Sequence, residues 1–391
     1  MSTSAAGMEG ACARSAIKEV ALLFLRLGTT AFGGPAAHIA MMEDEVVRRR
    51  RWVTHEHFLD LLAATNLIPG PNSTEMAIHL GHRRAGWAGL CVAGVCFIVP
   101  ASLITLALAW AYVHFGARPQ GEALLYGVKP VVIAVVVQAL WGLTRAAVKT
   151  KLLAVLTVVA VGATALGINE LVVLLAAGTL GAAVYAASAR GSLTAAWVGP
   201  NTLAPIATSA VAAVTPFSMA ALFLFFLKVG AVLFGSGYVL LAFLRADLVD
   251  HWHWLTDKQL LDAVAIGQIT PGPVFTTATF IGYLLAGGSG AAIATVGIFL
   301  PSFVFVAVSG PLVPRLRASP ATGAFLDGVV VGSLALMAVV TFVLARAAIV
   351  DVPTALLAAA SAFLLVRFRL NSAWLVLGGA LVGLGVVALG R

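Results

Sequence analysis

Residues Phe24 to Pro35, FLRLGTTAFGGP, return at Phe226 to Gly237 as FLKVGAVLFGSG, an offset of 202 residues. The same offset carries Pro69-Gly70-Pro71 onto Pro271-Gly272-Pro273 and pairs Arg26 with Lys228, Trp52 with Trp254 and Asp60 with Asp262. The register slips by one residue near Gly81 and Gly282, then continues through Pro100/Pro301, Gly127/Gly328 and Arg145/Arg346. A register held over about 120 residues is the mark of a duplication, and any fold for this chain must be one unit used twice.

Hydrophobic residues make up 61% of the 391, and charged residues only 10%, against about 25% charged in a soluble globular domain. Apolar runs such as Leu90 to Val113, Val131 to Leu143 and Val329 to Leu344 are too many for one soluble core. They predict an all-α polytopic membrane protein embedded in a lipid bilayer. The first fifteen residues carry Arg14 but no short apolar stretch ending in a small-residue cleavage site, so the first helix is expected to act as its own insertion signal. The net charge of +8 arises mostly from basic residues at helix ends, the pattern of the positive-inside bias rather than of nucleic-acid binding. Cys12, Cys91 and Cys96 have no counterparts in the second copy and no metal-like spacing, so no metal and no cofactor is expected.

The first repeat is assigned to residues 1–190, a Gly-, Ser- and Pro-containing linker to 191–215 and the second repeat to 216–391. Copy one predicts a helix from about Ile17 to Ala40, a charged stretch from Glu43 to Asp60 and a hairpin around Pro69. Long helices at 87–115 and 122–146 come next, and then two shorter apolar segments at 152–166 and 169–188. The arms flanking Pro69-Gly70-Pro71 are about ten residues each, so each rises about 15 Å, half of a bilayer core of about 30 Å. Each hairpin is therefore expected to be re-entrant. About five transmembrane helices then remain per copy, an odd number that would insert the second copy upside down. Charge agrees with inversion. Arg48 to Arg51 and Arg83-Arg84 are replaced in copy two by Asp250-His251-Trp252-His253 and Leu284-Leu285, whereas Arg118 is matched by the pair Arg315 and Arg317. That places the Arg48 loop in the cytoplasm.

Pro-Gly-Pro ends one helix and starts another, because proline lacks an amide hydrogen and restrains its predecessor while glycine takes backbone angles closed to other residues. The new half-helix presents its first amides and the positive end of its dipole, with Asn72, Ser73 and Thr74 in copy one and Thr276 and Thr277 in copy two beside them. Such a terminus suits an anion, and two of them from inverted copies would converge at mid-depth. The anion-binding set is accordingly Pro69, Gly70, Pro71, Asn72, Ser73 and Thr74 with Pro271, Gly272, Pro273, Thr276 and Thr277. Gly33, Gly34 and Gly235 join it at the breaks in the first helix of each copy. Arg26 and Lys228 supply positive charge if they point inward, or reach the interface if they lie near a helix end. Glu75 is matched by Thr277, an asymmetry that suits a proton carrier, and His38 and His79 are further proton candidates. No phosphate-binding glycine loop, zinc motif or nucleophile elbow is present, so neither ATP use nor enzymatic chemistry is expected.

FGGP in the first helix, Arg51-Trp52, Leu67-Ile68-Pro69-Gly70-Pro71, Gly81 and Phe97 to Pro100 together resemble the chromate ion transporter (CHR) family, in its long two-domain form. That resemblance implies a secondary transporter of the bacterial inner membrane that exports chromate, is driven by the proton motive force and confers chromate resistance. The partners implied are chromate or a sulfate-like oxyanion, protons and possible pairing into a homodimer. Copy two departs from the motif at Gly235-Ser236-Gly237 and Val274-Phe275, which assigns the tighter substrate contacts to copy one. A carrier of sulfate or another tetrahedral oxyanion, a passive anion channel and an enzyme acting on a lipid phosphate remain as alternatives.

Overall fold

The computed structural model describes residues 2–32, 34–65, 68–116, 118–189, 217–234, 239–317, 320–368, 370 and 372–388. Gly33, Gly235 and the 191–215 linker lie outside them. In copy one the helices are α1 (Ser2–Thr30), α2 (Gly34–Glu43) running into a π-helical turn at Asp44–Arg49, α3 (His55–Thr65), α4 (Asn72–Phe115), α5 (Pro119–Ala147), α6 (Lys151–Ala165) and α7 (Glu170–Ala189). Copy two repeats the order: α8 (Met219–Val232), α9 (Leu240–Leu244) with a π-helical turn at Arg245–His251, α10 (Asp257–Ile269), a 3-10 turn at Val274–Thr276, α11 (Thr277–Arg317), α12 (Pro320–Ala348), α13 (Val352–Phe368) and α14 (Ser372–Ala388). Among the described residues there is no strand, and five helices are long and apolar enough to cross a bilayer. This is an all-α polytopic membrane protein built from a repeat.

The break expected at Phe32 to Pro35 is present, and it does more than interrupt the helix. A straight helix would hold Arg26 and Glu45 about 28 Å apart, yet their side chains form an ion pair at 2.5 Å. The chain therefore turns back between α1 and α2, where Gly34 has a φ of +78°. Lys228 and Asp247, at the same separation in copy two, are paired as well. The first helix of each copy is thus one arm of a second hairpin beside the Pro-Gly-Pro hairpin, rather than a helix running on to Ala40.

α4 and α11 also reverse. Ala85 and Gly86 leave helical geometry, with φ of −141° and +60°, and Ala286 and Gly287 do the same at −149° and +63°. Beyond each turn the chain packs against its own preceding arm so closely that a Cβ on Gly81 would strike the Gly89 carbonyl, and one on Gly282 the Gly290 carbonyl. Only glycine fits such an approach. The arm of α4 beyond the turn, 87–115, is about 43 Å long and crosses the bilayer.

The two ends of that crossing establish the inversion independently of any count of helices. At its start Arg84 pairs with Glu19 at 2.8 Å and lies over Trp52, at the mouth of the copy-one hairpins. Just past its end Glu122 pairs with Lys258 at 3.2 Å, at the mouth of the copy-two hairpin. The mouths therefore open on opposite faces. Arg48 to Arg51, Arg83 and Arg84 lie on the first face, and Arg315 and Arg317, at the far end of α11, belong to the same face.

The copies also exchange helices. Gly178 and Gly181 of α7 lie against Ala324 and Gly328 of α12, while Gly379 and Gly383 of α14 lie against Ala123 and Gly127 of α5. Small residues let these backbones touch, and close packing is the main source of helix association where lipid is as apolar as the side chains. A Cβ on Gly328 would strike the Ala177 carbonyl. Gly328→Leu is accordingly expected to remove most folded protein from the membrane, measured as detergent-stable monodisperse material; wild-type yield would contradict the exchange.

Candidate functional site

The tips of the hairpins meet. Gly70, with a φ of +137°, donates its N–H to the Leu233 carbonyl at 2.8 Å, and Gly272, with a φ of +87°, donates to the Ala31 carbonyl at 2.8 Å. Leu233 and Ala31 end the first helix of their copies, where carbonyls lack intrahelical partners. Each copy's Pro-Gly-Pro tip therefore closes the broken helix of the other copy. The depth is fixed too. A Cβ on Gly272 would lie 2.7 Å from that of Ala101, halfway along 87–115, and one on Gly70 would lie 3.0 Å from the Ser302 hydroxyl, at the matched position in α11.

Chemistry at the two tips is unequal. At the copy-one tip Glu75 is fully buried, neither of its carboxylate oxygens has a hydrogen-bond partner, and Oε1 faces Gly70. The hydroxyls of Thr74 and Ser302, also fully buried, likewise lack a partner. Ser73 is buried beside them, and Asn72 opens α4 between Pro71 and Ser73. At the copy-two tip Thr276 donates its hydroxyl to the Pro273 carbonyl at 2.9 Å and Thr277 to the Val274 carbonyl at 2.8 Å. Here both hydroxyls donate to the backbone, and binding an anion through them would require these bonds to be exchanged. The amides of Thr74 and Glu75 similarly close on the Pro71 carbonyl, at 2.7 and 3.0 Å, which leaves fewer free donors than the half-helix picture implied.

Of the two arrangements open to Arg26 and Lys228, the structure shows both cations partly exposed and ion-paired. Arg26 is about half exposed and pairs with Glu45, and Lys228 is 39% exposed and pairs with Asp247. Each cation is neutralised by a carboxylate of its own copy, at the matched position. Glu45 is itself buried, not part of a solvated charge stretch. Burial alone would push its carboxyl up, but hydrogen bonds from Arg26 and Arg50 and the charges of Arg26 and Arg49 hold it below the usual carboxylate range. A depressed folded-state value contributes stability above the unfolded-state value and loses it as pH falls through the folded one. Arg26→Ala is expected to lower the unfolding temperature at pH 7, with a smaller difference from wild type near pH 3, and to leave the anion KM within about twofold. A KM raised tenfold would return Arg26 to the binding site.

His38 Nε2 lies 3.0 Å from the Ala31 carbonyl, with its ring edge-on to Phe97, so it caps the break of α1. His79, one turn beyond Glu75, is buried, and its Nε2 has no partner.

Lys129, Tyr112 and Ser302 were missed in the sequence. Lys129 Nζ pairs with Asp262 at 2.8 Å, and the Tyr112 hydroxyl donates to the other Asp262 oxygen at 2.8 Å. This triad, with Asp262 fully buried and Lys129 and Tyr112 partly so, lines a vestibule of about 1300 Å³ that opens on the face opposite Arg48 to Arg51. Lysine inside an apolar segment and Ser302 against Ala101 were both available as signals.

Two inverted copies, broken helices whose tips meet and a buried carboxylate there define a repeat-built, broken-helix membrane protein. The chain belongs to the chromate transporter family, whose model matches residues 18–182 and 220–384, one match per copy. It is 37% identical to the chromate transport protein of Cupriavidus metallidurans, over 98% of this chain and 96% of that protein. It is also 32% identical to the probable chromate transport protein of Synechococcus elongatus and 34% identical to the chromate transport protein of Pseudomonas aeruginosa, each over 92% of this chain and 90% of the relative. No solved structure matches it.

Proposed function

We propose that this protein exports chromate across the bacterial inner membrane, driven by the proton motive force, and thereby confers chromate resistance. The observation that carries this is the copy-one tip, where Glu75, Thr74 and Ser302 present unpartnered polar atoms at the crossing of the two copies. Buried polar groups without partners are rare and point to a ligand or a moving proton. Chromate is a tetrahedral dianion, suited to hydroxyl and amide donors at a half-helix start.

In this reading the Glu75 carboxylate occupies the place at Gly70 that suits an anion. Protonation removes its charge and lets the oxyanion take that place, so proton and anion occupy the tip in a linked order. Direction follows from charge. The arginine-rich face, cytoplasmic by the positive-inside bias, draws anions in. The vestibule on the other face is lined by two lysines, Lys129 and Lys258, and three carboxylates, Glu122, Asp262 and Asp351, a balance that favours release over capture.

Chromate uptake into inside-out vesicles under an imposed pH gradient tests the reading, with sulfate in parallel. Accumulation abolished by an uncoupler supports it, and downhill movement indifferent to the uncoupler would indicate a channel. Preference for sulfate over chromate would favour the general oxyanion carrier.

A further inference from the structure

We propose that Lys129 is the last cationic contact of the departing oxyanion and that Asp262 recaptures the lysine so that the anion leaves. The inference rests on the reading of this protein as an anion exporter, and four observations point to it.

Lys129 lies within a membrane-crossing helix, and an intramembrane lysine is expensive unless it has a task and a partner. Its side chain is 13% exposed and lines the vestibule. Asp262 is fully buried: its Oδ2 accepts from the Tyr112 hydroxyl, while Oδ1 forms an ion pair with Lys129 Nζ but no hydrogen bond, so the tyrosine keeps the carboxylate in place when the lysine moves. The arrangement has no twin: Lys129 is matched by Val330, Tyr112 by Val313 and only Asp262 by a like residue, Asp60. Arg26–Glu45 recurs in Lys228–Asp247, whereas Lys129–Asp262 belongs to one side of the pseudo-twofold relation alone. One exit needs one such device.

An oxyanion arriving from the tip would meet a lysine whose charge is shared between the ligand and Asp262. The carboxylate competes with the anion for the same ammonium, which weakens the anion's hold on the exit side. Among the described residues the rim adds no further cation without a counter-charge, since Lys258 pairs with Glu122.

The test is equilibrium dialysis of radiolabelled chromate against the purified full-length protein, with flux measured in inside-out vesicles loaded with chromate in the lumen. Lys129→Gln is expected to weaken chromate binding about tenfold and Lys129→Arg to retain it. Asp262→Asn is expected to tighten binding about tenfold, slow turnover and make luminal chromate more inhibitory, a split between affinity and rate that a bracing role would not give. The double variant Lys129→Gln/Asp262→Asn keeps the weak binding of the lysine variant. Wild-type affinity in Lys129→Gln, or wild-type binding and flux restored in the double variant, would reduce the pair to structure and overturn the proposal. Wild-type protein that binds chromate but moves none would instead count against the transport reading.

Discussion

Vesicles carrying Glu75→Gln are expected to move chromate at a rate that no longer rises when a pH gradient is imposed, with gradient-driven flux reduced about tenfold or more. Glutamine keeps the size of the side chain and removes the charge. Glu75 is buried against Gly70 and near Ser302 without an ion pair among the described residues, so the substitution is expected to leave the unfolding temperature at or above that of wild type. Loss of flux with loss of protein would mean that the carboxylate supports the fold. Unchanged gradient dependence would remove Glu75 from coupling altogether.

The second large effect is expected at the tips. Gly70→Ala places a methyl group on the Glu75 carboxylate at a φ of +137°, and Gly272→Ala places one 2.7 Å from the Ala101 Cβ and 3.1 Å from the Gly28 carbonyl at +87°. Backbone strain of this kind costs about 1–3 kcal/mol per site, before any loss of the reciprocal N–H bonds to Leu233 and Ala31. Both variants are expected to lose most chromate flux. Their difference is informative, because only Gly70→Ala also displaces Glu75. Gradient dependence should therefore fail in Gly70→Ala but persist in the residual flux of Gly272→Ala, and equal behaviour of the two would argue against a special role for the copy-one tip.

The sequence carried the architecture well where a residue type has few uses. Pro69-Gly70-Pro71 and its repeat could only be helix breaks in an apolar chain, and the loss of Arg48 to Arg51 in copy two pointed to inversion. It misled where a residue has several uses. Arg26 and Lys228 looked like ligand cations because their carboxylate partners, Glu45 and Asp247, are nineteen residues away and become neighbours only when the chain reverses between them. Thr276 and Thr277 looked like donors, but a hydroxyl at a helix start can equally return to the preceding carbonyl. Lys129 escaped notice because its partner Asp262 lies in the other copy, and no local pattern links residues so far apart. Long-range pairs of this kind are a property of the fold rather than of any segment.

The exchange of helices between the copies also constrains how the protein is made. The Ala123 and Gly127 face of α5 finds its partners, Gly379 and Gly383, only in the final helix, some 250 residues later. At about 5–20 residues per second the ribosome needs roughly 10–50 s to supply it. Throughout that interval the glycine face of α5 is without its partner, and for about the first half of it the Ala31 carbonyl is without Gly272. The first copy is thus a half-structure that holds its own α1–α4 core but whose α5 face is completed only by the last helix.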